Sequence, residues 1–198
     1  MYYIRIIMSR IIMLIPLDDN VGLNSVSLSM IYCLNKKLCK NNSRKPVLYL
    51  SCSNNHQDNI SLIINKYFSK FVHILNDIDF SKNIFNSCDY FSLLNKLIED
   101  IYHKKWLYQF ILIKGLSNNV NMYSQDINYD IAQNLSAEVI FLSNIKKNYI
   151  ENFKVKEKEI ELIIKRKNYK NVLGVIFNKV NSPFINKKYD FFKKLIIL

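Results

Sequence analysis

The chain has 198 residues, a formal charge of +12 and a hydrophobic fraction of 49%. This length and apolar content are enough to bury a core, so they exclude a disordered basic tail and predict one folded domain. Lys, Ile and Asn, all with A/T-rich codons, make up 79 residues against 4 Arg, and the lysines are scattered in ones and twos. A biased genome therefore explains the charge, and no nucleic-acid partner is expected.

Short apolar runs alternate with segments of helical period along the chain. In order, the pattern predicts a strand over 11–15, a helix over 25–39, a strand over 47–52, a helix over 60–71, an unassigned segment over 76–89, a helix through 94–101, a strand over 110–113, a helix over 126–135 capped by Asp126, a strand over 139–143, a helix over 151–167 and a strand over 172–177. This alternation is typical of a single α/β domain, with a mostly parallel sheet and helices on both faces.

The first strand-to-helix loop, residues 16–25, stands where an α/β fold binds phosphate. Compared with the pattern G-x-x-x-x-G-K-[ST], the loop has Asp18 at the first Gly, Gly22 at the second, Leu23 at the Lys, and Asn24 at the hydroxyl position, followed by Ser25. A carboxylate would repel a bound triphosphate and the neutralising cation is missing, so loss of nucleotide turnover is predicted. Gly22 is expected to allow the turn and Ser25 to cap the next helix.

Three blocks carry a family resemblance: MSRIIMLIPLDDNVGLNSVSLSMIYCL at 8–34, IKGLSNNVNMYSQDINYDIAQNLSAEVIFLS at 113–143 and VLGVIFNKVNSP at 172–183. In order and spacing they resemble the N-terminal, dethiobiotin-synthetase-like domain of the long bacterial phosphate acetyltransferases. The resemblance implies a P-loop-NTPase-like fold over residues 8–183, with 1–7 as an extension and 184–198 as an unassigned tail. It also implies a role in regulation and assembly, the acetyl transfer from acetyl-CoA to phosphate belonging to a separate C-terminal domain.

The sequence departs from this family where a P-loop enzyme needs charge. Lys114-Gly115 replaces an expected Glu-Gly, and Leu50-Ser51 replaces an expected Lys-Pro. Asn178-Lys179 is similar to the start of a guanine-reading N-K-x-D motif whose Asp is absent. No catalytic residue is therefore assigned, and Lys114, Gly115, Asn178 and Lys179 are left as a residual pocket for a small anionic metabolite.

The resemblance also leads us to expect a form shortened to the regulatory domain, inactive alone, that works as a homo-oligomer or with a separate acetyltransferase domain. Three alternatives stay open: a stand-alone dethiobiotin-synthetase-like ATP-dependent ligase, a basic nucleic-acid-binding protein, and a decaying gene remnant.

The cysteines and the N-terminus bear on cofactors and compartment. Cysteines 33, 39, 52 and 88 match no metal or redox spacing and the three His are isolated, so no metal and no cofactor are expected. Buried free thiols in a reducing cytoplasm are expected instead. Arg5 and Arg10 interrupt the apolar N-terminus, and no run reaches the roughly 20 apolar residues of a spanning helix, so neither a secretion signal nor a membrane partner is predicted.

Overall fold

Six parallel strands form one sheet in the computed structural model, which describes residues 9–38, 46–52, 59–75, 80, 87–117, 123–144 and 149–178. The strands are β1 (Arg10–Pro16), β2 (Val47–Ser51), β3 (Val72–Ile74), β4 (Phe110–Lys114), β5 (Glu138–Asn144) and β6 (Val172–Asn178). They lie in the order β3-β2-β4-β1-β5-β6. β1 is central, pairing with β4 on one side and β5 on the other.

Helices cover both faces of the sheet. They are α1 (Leu23–Leu38), α2 (Asn59–Tyr67), α3 (Ser87–Lys104), α4 (Ser124–Asn134) and α5 (Tyr149–Lys167), with a 3₁₀ turn over Lys105–Leu107 after α3. Right-handed crossovers place α1 and α2, which lead toward β3, on one face. α3, α4 and α5 lead the other way and pack on the opposite face. The predicted α/β class with helices on both faces is confirmed.

Continuous apolar strands explain the two-sided core. β2 is buried at every residue and β1 over its last five, as expected of strands covered on both faces. Alternate residues then belong to opposite clusters: Met13 and Ile15 face α3 and α4, whereas Ile12 and Leu14 face α1 and α2. The runs that predicted the strands are thus the residues that form the core.

The structure corrects the region after β2. The predicted helix over 60–71 ends at Tyr67, and strand β3 follows, which the sequence did not predict. The amide of Val72 donates to the carbonyl of Phe68 at 2.8 Å, so a tight turn joins the two elements. The apolar residues of the turn continue the helical spacing, and a strand of three residues is too short to show an alternating pattern. The sequence therefore predicted one longer helix.

Two further expectations are corrected. Asp126 does not cap α4, because the helix begins at Ser124 and has no side-chain cap. Cys33 is exposed on α1, although Cys52 is buried as predicted. Cys39, the tail over 184–198, the extension over 1–7 and most of 76–89 lie outside the described residues. Within the described part of the chain, no helix is both long and apolar enough to span a bilayer.

Candidate functional site

The loop between β1 and α1 lies at the carboxyl edge of the sheet, at a switch point of the strand order. β1 and β4 are neighbours, yet α1 packs on one face of the sheet and α4 on the other. The chain therefore leaves these two strands toward opposite faces of the sheet, and open α/β sheets bind ligands at such switch points. Within the described residues, the loop and the ends of β4, β5 and β6 meet at this place.

The start of α1 is held by backbone and by apolar packing. Gly22 has φ 75°, a conformation that favours glycine, and its carbonyl accepts a hydrogen bond from the amide of Val26 at 3.0 Å. Leu23, at the position of the P-loop lysine, packs against the core cluster under α1. The helix begins at Leu23, so Ser25 lies inside it, exposed, and the predicted Ser25 cap is wrong.

Asp18 is bound to the neighbouring strand end and to α5. Its carboxylate accepts hydrogen bonds from Ser143 Oγ at 2.5 Å, from the amide of Asn144 at 3.1 Å and from Lys156 Nζ at 2.7 Å. Partial burial alone would raise the pKa of Asp18, but the bonds from Lys156, Ser143 and Asn144 outweigh it and hold the pKa below its usual value. The carboxylate is thus neutralised locally and ties the loop to β5 and α5.

Lys114 leaves the end of β4 toward the start of α1. It is only 4% exposed, and its Nζ lies 3.4 Å from Oδ1 of Asn24 in the first turn of the helix. The structure therefore brings together Lys114 and Asn24, two residues that the sequence assigned separately to the loop and to the residual pocket. A buried ammonium next to a helix N-terminus is a feature that attracts an anion.

Asn178 closes the loop from the other side. It is the last residue of β6, and its amide donates to the carbonyl of Val21 at 2.8 Å. Asn144 similarly donates to the carbonyl of Asp19 at 2.8 Å. Both bonds hold carbonyl groups of the loop backbone and so fix the path of the loop. Lys179, the other member of the predicted pair, lies outside the described residues.

The segment after β4 is held by a residue that the sequence analysis missed. Asn128 of α4 is fully buried; its Oδ1 accepts from the amide of Leu116 at 2.8 Å, and its Nδ2 donates to the carbonyl of the same residue at 2.9 Å. A Cβ on Gly115 would come 2.7 Å from the carbonyl oxygen of Leu14 and 2.8 Å from Oδ1 of Asn128. Gly115 is therefore required for close packing here.

A sequence signal for Asn128 existed. The buried positions of α4 are Ser124, Ile127, Asn128, Ile131 and Ala132, at the spacing of one helix face. An amide in the middle of such a face has to find hydrogen-bond partners inside the protein. Asn128 finds them on the loop that follows β4.

The described residues do not present the free loop lysine on which P-loop phosphoryl transfer depends. Lys156 is paired with Asp18, and the side-chain amides of Asn144 and Asn178 donate to loop carbonyls. The P-loop lysine position holds Leu23, which is partly buried against the core cluster under α1. Across the described residues, no group of His, Cys, Asp and Glu has the arrangement needed to hold a metal ion. In the described part of this edge, the loop is closed and Lys114 is a buried cation.

The comparisons with known proteins agree with this fold. A family profile described as an AAA domain, AAA_26, matches residues 10–196. The phosphate acetyltransferase of Buchnera aphidicola from Acyrthosiphon pisum is 54% identical over 191 residues, and that from Schizaphis graminum is 50% identical over 193. Each alignment covers 96% of this chain and 27% of the relative. The chain thus spans about a quarter of the length of these relatives, and the predicted relationship to phosphate acetyltransferase is confirmed.

Among solved structures, the BceF tyrosine kinase domain superimposes with a TM-score of 0.53 at 12% identity, covering 86% of this chain and 69% of that one. At this identity the likeness concerns the fold alone.

Proposed function

The chain belongs to the AAA domain family whose profile spans residues 10–196, and from that premise we propose that it is a regulatory or assembly domain of a phosphate acetyltransferase system. Identities of 54% and 50% to proteins of that name over almost the whole chain support the assignment. The reaction that we connect with it converts acetyl-CoA and phosphate to acetyl phosphate and CoA. That acyl transfer would be carried out by polypeptide other than the residues described here.

The observation that carries the proposal is the closed loop after β1. A P-loop enzyme keeps backbone N–H groups and a lysine free for the phosphates, whereas here Asp18 bonds Ser143 and Lys156 across the loop. A triphosphate would meet a carboxylate and no loop lysine. Because Lys156 already neutralises Asp18, the missing lysine is the larger obstacle: Leu23 cannot neutralise the β- and γ-phosphates, so nucleotide turnover is disfavoured.

The partners follow from this role. We propose that the domain assembles with further copies of itself or with a separate acetyl-transferring domain, in the cytoplasm. Neither a nucleic acid nor a membrane is part of the proposal.

A coupled assay of acetyl phosphate formation tests the chemical part. We expect no formation from acetyl-CoA and phosphate by this chain alone, with the phosphate acetyltransferase of Escherichia coli as the positive control. We also expect no thermal stabilisation by Mg·ATP, measured by differential scanning fluorimetry. Acetyl phosphate production would contradict the assignment of the acyl transfer to other polypeptide, and stabilisation by Mg·ATP would return the protein to the class of nucleotide-binding P-loop relatives.

Anion binding near Lys114 is a separate part of the proposal. The buried ammonium and the start of α1 favour a small phosphate or carboxylate metabolite, and the neutralised Asp18 opposes it less than the sequence suggested. We expect millimolar inorganic phosphate to raise the melting temperature of the protein and to lose this effect in Lys114→Met. The control is Lys96→Met, which removes an exposed cation from α3. An equal response in both variants would refute the site.

A further inference from the structure

A second concave feature lies at the amino edge of the sheet, opposite the loop after β1. It is a cavity of about 340 Å³ between the start of β1, the end of α3 and the turn that precedes β5. Ile11, Ile101 and Leu135 are among its lining residues, and the last two are buried. Its floor is therefore apolar. A volume of this size is at the lower end of the range in which proteins bind ligands or anchoring side chains.

The walls of the cavity present two aromatic rings to solvent. Tyr102 and Trp106 are 51% and 52% exposed. The ammonium of Lys105 lies 3.9 Å from the ring centroid of Tyr102 and 5.1 Å from that of Trp106. The hydroxyl of Ser9 donates to the carbonyls of Lys105 and Tyr108, which fastens this turn to the start of β1. The rings and the cation are thus held on a fixed support.

The same edge of the molecule is basic. Because every strand is parallel, all the α-helices end at this edge, and their last turns carry cations on α1, α2, α3 and α5. These last-turn residues are Lys36, Lys37, Lys66, Lys104, Lys165, Arg166 and Lys167, of which Lys167 is paired with Asp126. Lys105 and Arg10 lie at the cavity itself. The one carboxylate that lines the cavity, Glu138, is paired with Arg10. Lysines that are scattered in the sequence therefore lie at one edge of the folded protein.

We propose that this cavity is a docking site for an acidic polypeptide segment, which inserts one bulky apolar side chain against Ile101 and Leu135, beside Tyr102 and Trp106, while its carboxylates face the cations at this edge of the sheet. Aromatic residues and Arg are enriched at the energetic centres of protein interfaces, where an apolar anchor is ringed by polar contacts. The cations of the helix ends would speed the encounter and select acidic partners.

The floor favours a polypeptide over a nucleic acid. A nucleobase inserted against Ile101 and Leu135 would bury polar edge groups without partners, which costs free energy, whereas an aliphatic or aromatic side chain loses nothing there. Glu138 at the rim is paired with Arg10, and its carboxylate oxygens can also accept hydrogen bonds from peptide N–H groups. A membrane surface is flat and would leave a recessed cavity unfilled.

Trp106 makes the proposal testable directly, because it is the only tryptophan of the chain and lies in the cavity wall. The probe is a blocked, fluorescein-labelled peptide of Asp and Glu with one central Phe, compared with the same peptide carrying Ala in place of Phe and with its Asn/Gln counterpart. Binding is measured by anisotropy, and by Trp106 emission with the unlabelled peptides. We expect the acidic Phe peptide to bind, to shift Trp106 emission and to bind at least about tenfold more tightly than either comparison peptide, a difference of roughly 1.4 kcal/mol.

Variants locate the site. Lys105→Glu and Tyr102→Ala are each expected to weaken binding about tenfold, the size of a single contributing interface residue. The matched controls are Lys96→Glu, at an exposed position of α3, and Tyr67→Ala, at an exposed tyrosine of α2; both should bind like the parent. Melting temperatures of all four variants check that they fold. The proposal is overturned if the Phe peptide does not bind, if the control variants weaken binding as much, or if single-stranded DNA or anionic lipid vesicles compete equally well.

Discussion

The carboxylate of Asp18 lies 2.7 Å from the ammonium of Lys156, a residue 138 positions further along the chain. This ion pair joins the loop after β1 to α5, across the end of β5. Both side chains are about one-fifth exposed, so the pair is partly shielded from solvent. The residue that most clearly breaks the P-loop pattern is therefore one that holds the loop in place.

We expect Asp18→Asn to destabilise the protein by about 1–2 kcal/mol, because it removes the ion pair and weakens the bonds from Ser143 and Asn144. Urea unfolding followed by circular dichroism measures the change. Glu161→Gln, which neutralises an exposed carboxylate of α5, is the control and should be nearly neutral. Equal stability of Asp18→Asn and the parent would show that the ion pair contributes nothing.

The same pair predicts a dependence of stability on pH. Hydrogen bonds from Lys156, Ser143 and Asn144 overcome the effect of burial and lower the pKa of Asp18 below its ordinary value of 3.8. A carboxylate whose pKa is lower in the folded state becomes protonated at a lower pH there than in the unfolded chain. Its stabilisation is therefore complete above the ordinary pKa and is lost as the pH falls through the lowered one.

The measurement is the free energy of unfolding of the parent and of Asp18→Asn from neutral to acidic pH. The difference between the two should be largest at neutral pH and shrink in acid. Lys156 also bonds Glu159, so a Glu159→Gln series separates the contributions of the two carboxylates. A difference that stays constant down to the lowest pH at which the protein folds would contradict the assignment to Asp18.

Much of the fold could be predicted because its strands are apolar on both faces. The runs at β1 and β4 have no polar alternation, and only a parallel sheet covered on both sides accommodates them. β3 could not be predicted in the same way. Its three residues follow a tight turn at Phe68 that keeps apolar side chains at helical spacing.

The candidate site also has features that the sequence predicted and features that it did not. The absence of the P-loop lysine was visible at Leu23, since it depends on residue type at a known spacing. The pairing of Asp18 with Lys156 was not, because it depends on how α5 packs after β5, and no local pattern encodes that distance. In the structure, the pairing of β4 with β1 sets Lys114 beside Leu14, close to the loop. Its contact with Asn24 follows from that position.

Asn128 provides a prediction about the segment after β4. We expect Asn128→Ala to lower the free energy of unfolding by about 2–3 kcal/mol, because both polar groups of the Leu116 backbone lose their partner in a buried environment. Asn134→Ala, at an exposed position of the same helix, is the matched control. Chemical denaturation compares them. If the two variants are equally stable, Asn128 does not hold the loop as its two hydrogen bonds indicate.

The cysteines give a final prediction, based on solvent access. Cys33 is exposed on α1, whereas Cys52 is buried at the end of β2, where its amide donates to the carbonyl of Lys114 at 3.0 Å. Thiol modification requires access to the thiolate, so iodoacetamide should label Cys33 in the folded protein and Cys52 only after unfolding. Peptide mass spectrometry after a short pulse measures the two sites separately. Labelling in urea is the control, where both should react alike. Fast labelling of Cys52 under native conditions would mean that the carboxyl edge of the sheet opens readily, in conflict with the closed loop on which the proposed role depends.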